Sequence, residues 1–141
     1  ATILLLALAL GGVSKALGTG VFVASLVGET LPAWLLPTCL FLTSGSIAFA
    51  VGSSWGTFSI MLPIAVPVAS ALGVDPTLLV AAVLSGGIFG DHSSPISDTT
   101  IVSSLASGTE HIQHVSTQLP YALLAGGVSI IGFLVLGLIL L

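Results

Sequence analysis

Residues 85–100 read SGGIFGDHSSPISDTT and gather two aspartates, a histidine, four serines and two threonines into one window. Asp91 and Asp98 supply carboxylates, His92 an imidazole, and Ser94 and Thr99 hydroxyls. A second polar stretch, GSSWGT at 52–57, adds the hydroxyls of Ser53, Ser54 and Thr57. Apart from the imidazole these are hard oxygen donors, which suit Na+ or a proton better than a soft metal. The candidate ion ligands are therefore Asp91, Asp98, Ser94, Thr99, Ser53, Ser54 and Thr57, with Na+ expected at Asp91 and Asp98. His92 is read as tuning a neighbouring acid or titrating itself, and equally as an interfacial histidine. Burial and a nearby carboxylate both favour the protonated acid. One of Asp91 and Asp98 is thus expected to hold a proton near neutral pH, which Na+ would displace by favouring the ionised form. A site that takes either ion but not both is the physical requirement for exchange. Structural roles compete with this reading: Asp98 as complement to a helix N-terminus, Asp91 as a turn residue, and Asp75 as a helix cap.

These groups sit in a chain that has almost no other charge. Of 141 residues, 55% are hydrophobic and 4% are charged, against about 25% in an ordinary soluble domain. Lys15 is the one residue of the Lys and Arg class. Such a surface cannot be kept in water, so its solvent is lipid and the bilayer is its first partner. A soluble enzyme ranks last among the readings on this ground. The net charge of −4 excludes a basic nucleic-acid footprint. Cys39 is alone and cannot form an internal disulfide. The opening ATILLLALALGG lacks the basic segment of a signal peptide. The chain starts without Met and stops within an apolar run, so it is expected to be a piece of a larger membrane protein.

The positioning elements follow from glycine, proline and cap signals. Residues 1–27 form a first membrane segment interrupted by GGVSKALGTG, with Lys15 snorkelling. Thr30 and Pro32 mark a new start, and an apolar arm runs to about residue 51. GSSWGT stops it, and a second arm of about 16 residues, kinked at Pro63 and Pro67, runs to residue 73. The span 31–73 is expected to be a helical hairpin, re-entrant by the shortness of its kinked second arm, with two ordinary spans as the alternative. Asp75 and Pro76 start a third helix, read as about 13 residues long before GDHSSP breaks it. Ser94 and Pro95 would start the next, giving a broken helix over 76–106. EHIQHVSTQ at 110–118 reads as a solvated loop, with too little resemblance to HExxH to suggest zinc. A last membrane helix covers 118–141. Paired breaks of this kind are tolerated in a membrane only where they are buried in protein or line a wet cavity. They are also the best sequence pointer to a transporter's binding site.

The stretches AVGSSWGTFSIMLPIAVPVA, GGIFGDHSSPISDTTIVSS and HVSTQLPYAL, in that order over about residues 40–125, resemble the C-terminal part of the NhaC family of Na+/H+ antiporters. Ser53 and Ser93 stand where Thr and Cys are expected in relatives. The resemblance implies an all-α polytopic membrane protein built from inverted repeats, of which this chain would hold one. Each repeat would contain a re-entrant helical hairpin, here with its tip at Ser53–Thr57, and a discontinuous transmembrane helix, here broken at Gly90–Pro95. It implies Na+/H+ exchange in the bacterial inner membrane. No cofactor is expected beyond the transported ions, and the expected partners are the rest of the transporter and a second copy. The alternatives are a Na+/H+-coupled exchanger of organic anions such as malate and lactate on the same scaffold, and a truncated fragment that transports nothing.

Overall fold

The computed structural model describes residues 2–141, with side chains described for all but residues 2–4, 7 and 26–30. The chain is helical throughout: α1 Thr2–Ala16, α2 Thr19–Thr30, a 3-10 turn Ala33–Leu35, α3 Leu36–Val51, α4 Ser54–Leu72, α5 Pro76–Ser93, α6 Asp98–Ala106 and α7 His111–Leu140. Among the described residues three helical stretches are long and apolar enough to cross a membrane: Ala33–Val51, Ser54–Leu72 and His111–Leu140. The α1–α2 pair, bent by 58° between Leu8–Ala16 and Thr19–Ser25, makes a fourth if the two count as one span.

Local chemistry sets most of the breaks. Gly18, Gly52 and Gly73 adopt positive φ near 68° where α1, α3 and α4 end, a conformation glycine reaches without Cβ strain. Ser53 caps α4 by accepting from the Gly56 amide at 3.3 Å. Asp75 caps α5 by accepting from the Thr77 amide at 2.7 Å, and Pro76 takes the first helical position. Hydrogen bonding from Thr77, through its side chain first and its backbone second, holds the Asp75 carboxyl below its ordinary range. The capping role expected of Thr30 concerns a side chain outside the described residues.

Several boundaries differ from the sequence reading. α4 begins at Ser54, inside the polar stretch, and so has 19 residues, with Pro63 and Pro67 within the helix. α5 continues past its glycines to Ser93. Gly86 and Gly90 do not end this helix because they serve close packing: a Cβ on either would collide with the carbonyls of Phe41 and Gly45. The segment 110–118 is not a loop. Glu110 is the N-cap position and His111–Gln118 are the first turns of a 30-residue helix that carries Pro120 inside it. The side chains of Ser116 and Thr117 bond to the Gln113 carbonyl one turn back, so polarity here is compatible with the helix.

Packing shows how the helices run. Gly86 lies on Phe41, Gly90 on Gly45 and Gly52 on Ile96, so α3 and α5 are parallel, one register along their whole contact. Phe58 lies on Gly87, Met61 and Ala65 pack with Val83, and Val68 packs with Leu79. α4 is therefore antiparallel to both α3 and α5. Phe41 and Phe133 meet at 5.5 Å and Gly137 lies on Trp34, which sets α7 antiparallel to α3. The interior is dominated by small and medium residues: Ala48, Ala65, Ala69, Leu79, Ala82 and Val83 are all fully buried. Large apolar side chains such as Leu17, Tyr121 and Leu124 point outward, each at least 70% exposed. This is the distribution expected where lipid or further protein, and not water, is the surroundings.

The α3–α5 register yields a stability prediction. Gly90→Val forces these helices apart at Gly45 and is expected to lower stability by about 1–3 kcal/mol, the usual range for overpacking. Gly132→Ala, where a Cβ meets nothing within 4 Å, is expected not to lower it, since alanine favours a helix interior over glycine. Thermal unfolding of the purified protein in detergent compares the two.

Candidate functional site

Because α3 and α5 run parallel, their C-terminal ends lie together, and so do the two polar breaks. Gly52, at the α3–α4 turn, packs on the carbonyl of Ile96 in the α5–α6 connection. The Ser94 hydroxyl, fully buried, donates to the Phe49 carbonyl at 2.7 Å. Its oxygen also accepts from the Ile96 amide at 3.3 Å within the break, and Ser94 does not cap the next helix as its sequence position suggested. It is instead the residue at which α5 ends, and α6 starts at Asp98 with Ser97 in the N-cap position. The helix N-termini thus fall at Ser54 and Asp98, not after residues 57 and 94.

Asp91 occupies the last turn of α5 and is 2% exposed. Its carboxyl group is gripped from across the break. The Ser97 hydroxyl donates to Oδ1 at 2.8 Å and the Thr99 hydroxyl donates to Oδ2 at 2.9 Å. Ser97 Oγ and Thr99 Oγ1 are themselves 2.7 Å apart. Four oxygens thus close a ring through three short contacts. The Ser97 side chain accepts no capping bond from a backbone amide of α6; its hydroxyl is turned to Asp91 and Thr99.

The other expected ligands are placed differently. Asp98 is exposed, and its Oδ1 accepts from the Thr99 amide at 2.9 Å. Among the described residues no hydrogen bond links it to Asp91. Ser53 is spent on the α4 cap, and the buried Thr57 hydroxyl donates to the Ser53 carbonyl at 3.0 Å. Ser54 is the first residue of α4 and half-buried. The His92 ring is exposed, with Nδ1 3.0 Å from the Ile88 carbonyl. It lines an open groove of about 330 Å³ between α5 and α7 together with Ser85, Phe89, Gly126 and Ser129.

Two residues at the site escaped the sequence reading. Ser97 was passed over among its neighbouring hydroxyls, although its place just before Asp98 marks a helix start. His111 was assigned to a solvated loop. Its Nε2 lies 2.6 Å from the Pro95 carbonyl and its Nδ1 3.2 Å from Ser104 Oγ. Four buried polar atoms lack a partner among the described residues: Thr38 Oγ1, Ser44 Oγ, Thr100 Oγ1 and His114 Nε2.

Comparison with known proteins gives this arrangement a context. An arginine/ornithine antiporter of Halobacterium salinarum is 37% identical over 107 residues, which are 76% of this chain and 22% of that protein. A malate-2H+/Na+-lactate antiporter of Bacillus subtilis is 34% identical over 104 residues, 74% of this chain and 22% of that protein. The Na+/H+ antiporter NhaC of Alkalihalophilus pseudofirmus is 30% identical over 137 residues, 83% of this chain and 30% of that protein. The chain spans between a fifth and a third of the length of these relatives. No solved structure matches it. The family model for the Na+/H+ antiporter family matches residues 1–138. With its apolar spans and this family match, the chain is part of an integral membrane protein and belongs to the Na+/H+ antiporter family.

Proposed function

We propose that this chain forms part of a secondary transporter exchanging Na+ for H+ across the bacterial inner membrane, and that Asp91, Ser97 and Thr99 hold the exchanged ion. The observation that carries the reading is a proton count. The ring has three oxygen–oxygen contacts of 2.7–2.9 Å. Two hydroxyls supply two protons, and an ionised carboxylate supplies none. In the protonated form Asp91 would supply the third, its Oδ1–H donating to Ser97 Oγ, the Ser97 hydroxyl then turning to Thr99 Oγ1 while the Thr99 hydroxyl keeps donating to Oδ2, which satisfies the ring. When that proton leaves, two carboxylate and two hydroxyl oxygens converge with one positive charge missing. Na+, which takes hard oxygen ligands, replaces it. The position of Asp91 in the last turn of α5 strengthens the argument. A bare anion is unfavourable at a helix C-terminus, whereas a cation is favoured there. The acid therefore holds one ion or the other, and exchange follows.

In this reading α3 and α4 are the arms of a re-entrant hairpin, and α5 and α6 are two halves of one discontinuous helix. The contact of Gly52 with Ile96 supports it, since each break then covers part of the other's freed backbone. The rest of the transporter, a second copy and the surrounding lipid are the partners it implies. A second reading, exchange of organic anions or amino acids on the same scaffold, is favoured by the malate–lactate and arginine/ornithine antiporters among the relatives.

Everted vesicles from an antiporter-deficient bacterium carrying the full-length protein test both readings. After acidification of the lumen, added Na+ is expected to release lumenal protons, read with a pH-sensitive dye. Asp91→Asn abolishes this while protein still reaches the membrane, and a wild-type rate in that variant sinks the assignment. Asp98→Asn is expected to cost less, since its exposed carboxylate bonds only its neighbour's amide. Proton release that needs malate, lactate or an amino acid in addition to Na+ selects the second reading.

The hydroxyls give a separate prediction. Ser97→Ala and Thr99→Ala each remove one hydrogen bond to a charged group, worth about 1.5–3 kcal/mol. Each is expected to raise the Na+ KM by about tenfold or more, while Thr99→Ser stays near wild type. Unchanged Na+ dependence in both alanine variants would exclude these hydroxyls as ligands.

A further inference from the structure

We propose that His111 is a positioning residue for the ion site: it latches the α5–α6 break to α7 and so holds Ser97 and Thr99 against Asp91. The proposal rests on the reading of Asp91, Ser97 and Thr99 as the ion ligands. The break at 94–97 has little support of its own. Pro95 has no amide proton to donate. Within the segment the Ile96 amide reaches Ser94 Oγ at 3.3 Å, and the Ser97 amide reaches the Ser94 carbonyl at 3.5 Å. Both are long for N–H donors, whose usual separation is about 2.9–3.0 Å.

The short bonds all come from other elements. Ser94 Oγ is tied to Phe49 of α3 at 2.7 Å, and Ser97 Oγ to Asp91 of α5 at 2.8 Å. The Pro95 carbonyl is tied to His111 of α7 at 2.6 Å. Among the described residues His111 supplies the tie from α7. Since a carbonyl only accepts, Nε2 carries a proton and donates it. Nδ1 faces Ser104 Oγ of α6 at 3.2 Å, and Ser104 is itself buried. The Ser104 hydroxyl also reaches the Ile101 carbonyl at 2.8 Å, so the firm tie is the one from Nε2, which holds the break to α7 while the ring packs against the helix that follows. Pro95 precedes Ser97 by two residues, so a shift of its carbonyl carries the two hydroxyls with it. Without a donor, that carbonyl would be left in a helix break where each unmet backbone group is costly.

The test uses two variants that match in chemistry and differ in reach. His111→Gln places an amide N–H at about the distance of Nε2, whereas His111→Asn is one methylene too short. Two measurements are made on the full-length protein: hydrogen exchange of the backbone amides at 96–99, and the Na+ KM and maximal rate of proton release in everted vesicles. His111→Asn is expected to speed amide exchange at 96–99 and to raise the Na+ KM by about three- to tenfold, the effect of one lost hydrogen bond. The maximal rate should fall less, and His111→Gln should restore both readouts toward wild type. Wild-type amide protection in His111→Asn, or equal behaviour of the two variants, overturns the latch whatever ion is moved. Faster amide exchange with an unaltered Na+ KM shows a structural tie only and overturns the positioning role. If wild-type vesicles release no protons with Na+, the exchange reading fails, and the positioning role, which depends on it, falls with it. The amide measurement then still decides whether the latch exists.

Discussion

Asp91 places a carboxyl group at 2% exposure in the last turn of a helix, within a chain whose single Lys or Arg is Lys15. Among the described residues no Lys or Arg pairs with it. The described partners of its carboxyl group are the hydroxyls of Ser97 and Thr99. The rest of the site follows from that constraint. The hydroxyls that reach Asp91 come from beyond the helix end, so the helix must stop and the chain must turn back. The turn frees backbone groups, which in turn need partners from other helices. Phe49, Ser94, Pro95 and His111 meet those needs one bond at a time.

Close helix packing makes this possible. In a membrane, helices gain little from hiding apolar surface from one another, and small residues that allow close approach carry the association. Gly45, Gly86 and Gly90 let α3 and α5 touch backbone to backbone in one parallel register. That register has a chemical consequence, because it brings the α3–α4 turn and the α5–α6 break to the same end of the bundle. Had the two helices run antiparallel, the breaks would lie a helix length apart, about 25 Å for 16–18 residues. Phe41, stacked against Phe89 and packed on Phe133, each at 5.5 Å, holds α7 to the same pair. α7 thereby delivers His111 to the break from its first residue.

Much of the local architecture was legible in residue types. Asp75–Pro76 announced the start of α5, and Gly52 and Gly73 announced helix ends. The apolar composition specified a membrane environment. Legibility failed where one residue type has two uses. Gly90 read as the start of the break and proves to be a packing surface within the helix, which runs on to Ser93. Ser94 and Pro95 read as a helix start, but Ser94 is tied to α3 through its hydroxyl and the next helix starts only at Asp98. The polar run at 110–118 read as solvated, yet nothing in it forbids a helix, and the element continues through it. At the site, Asp91 and Thr99 were named from sequence and lie together. Ser97 was not named, and Asp98 proves exposed. Spacing along a chain does not say which hydroxyl folds back across a break.

From sequence alone the chain's solvent, its helical class, its two polar interruptions and its family resemblance are determined. These depend on composition and on local order, which are properties of short stretches. Tertiary structure decided that the interruptions meet, that Asp91 and not Asp98 is enclosed by hydroxyls, and that a histidine from the last helix holds the break. Those outcomes depend on the direction and register in which distant helices pack. That register is set by where backbones can touch, at pairs such as Gly45 and Gly90 that lie far apart in sequence and become neighbours only once the chain is folded.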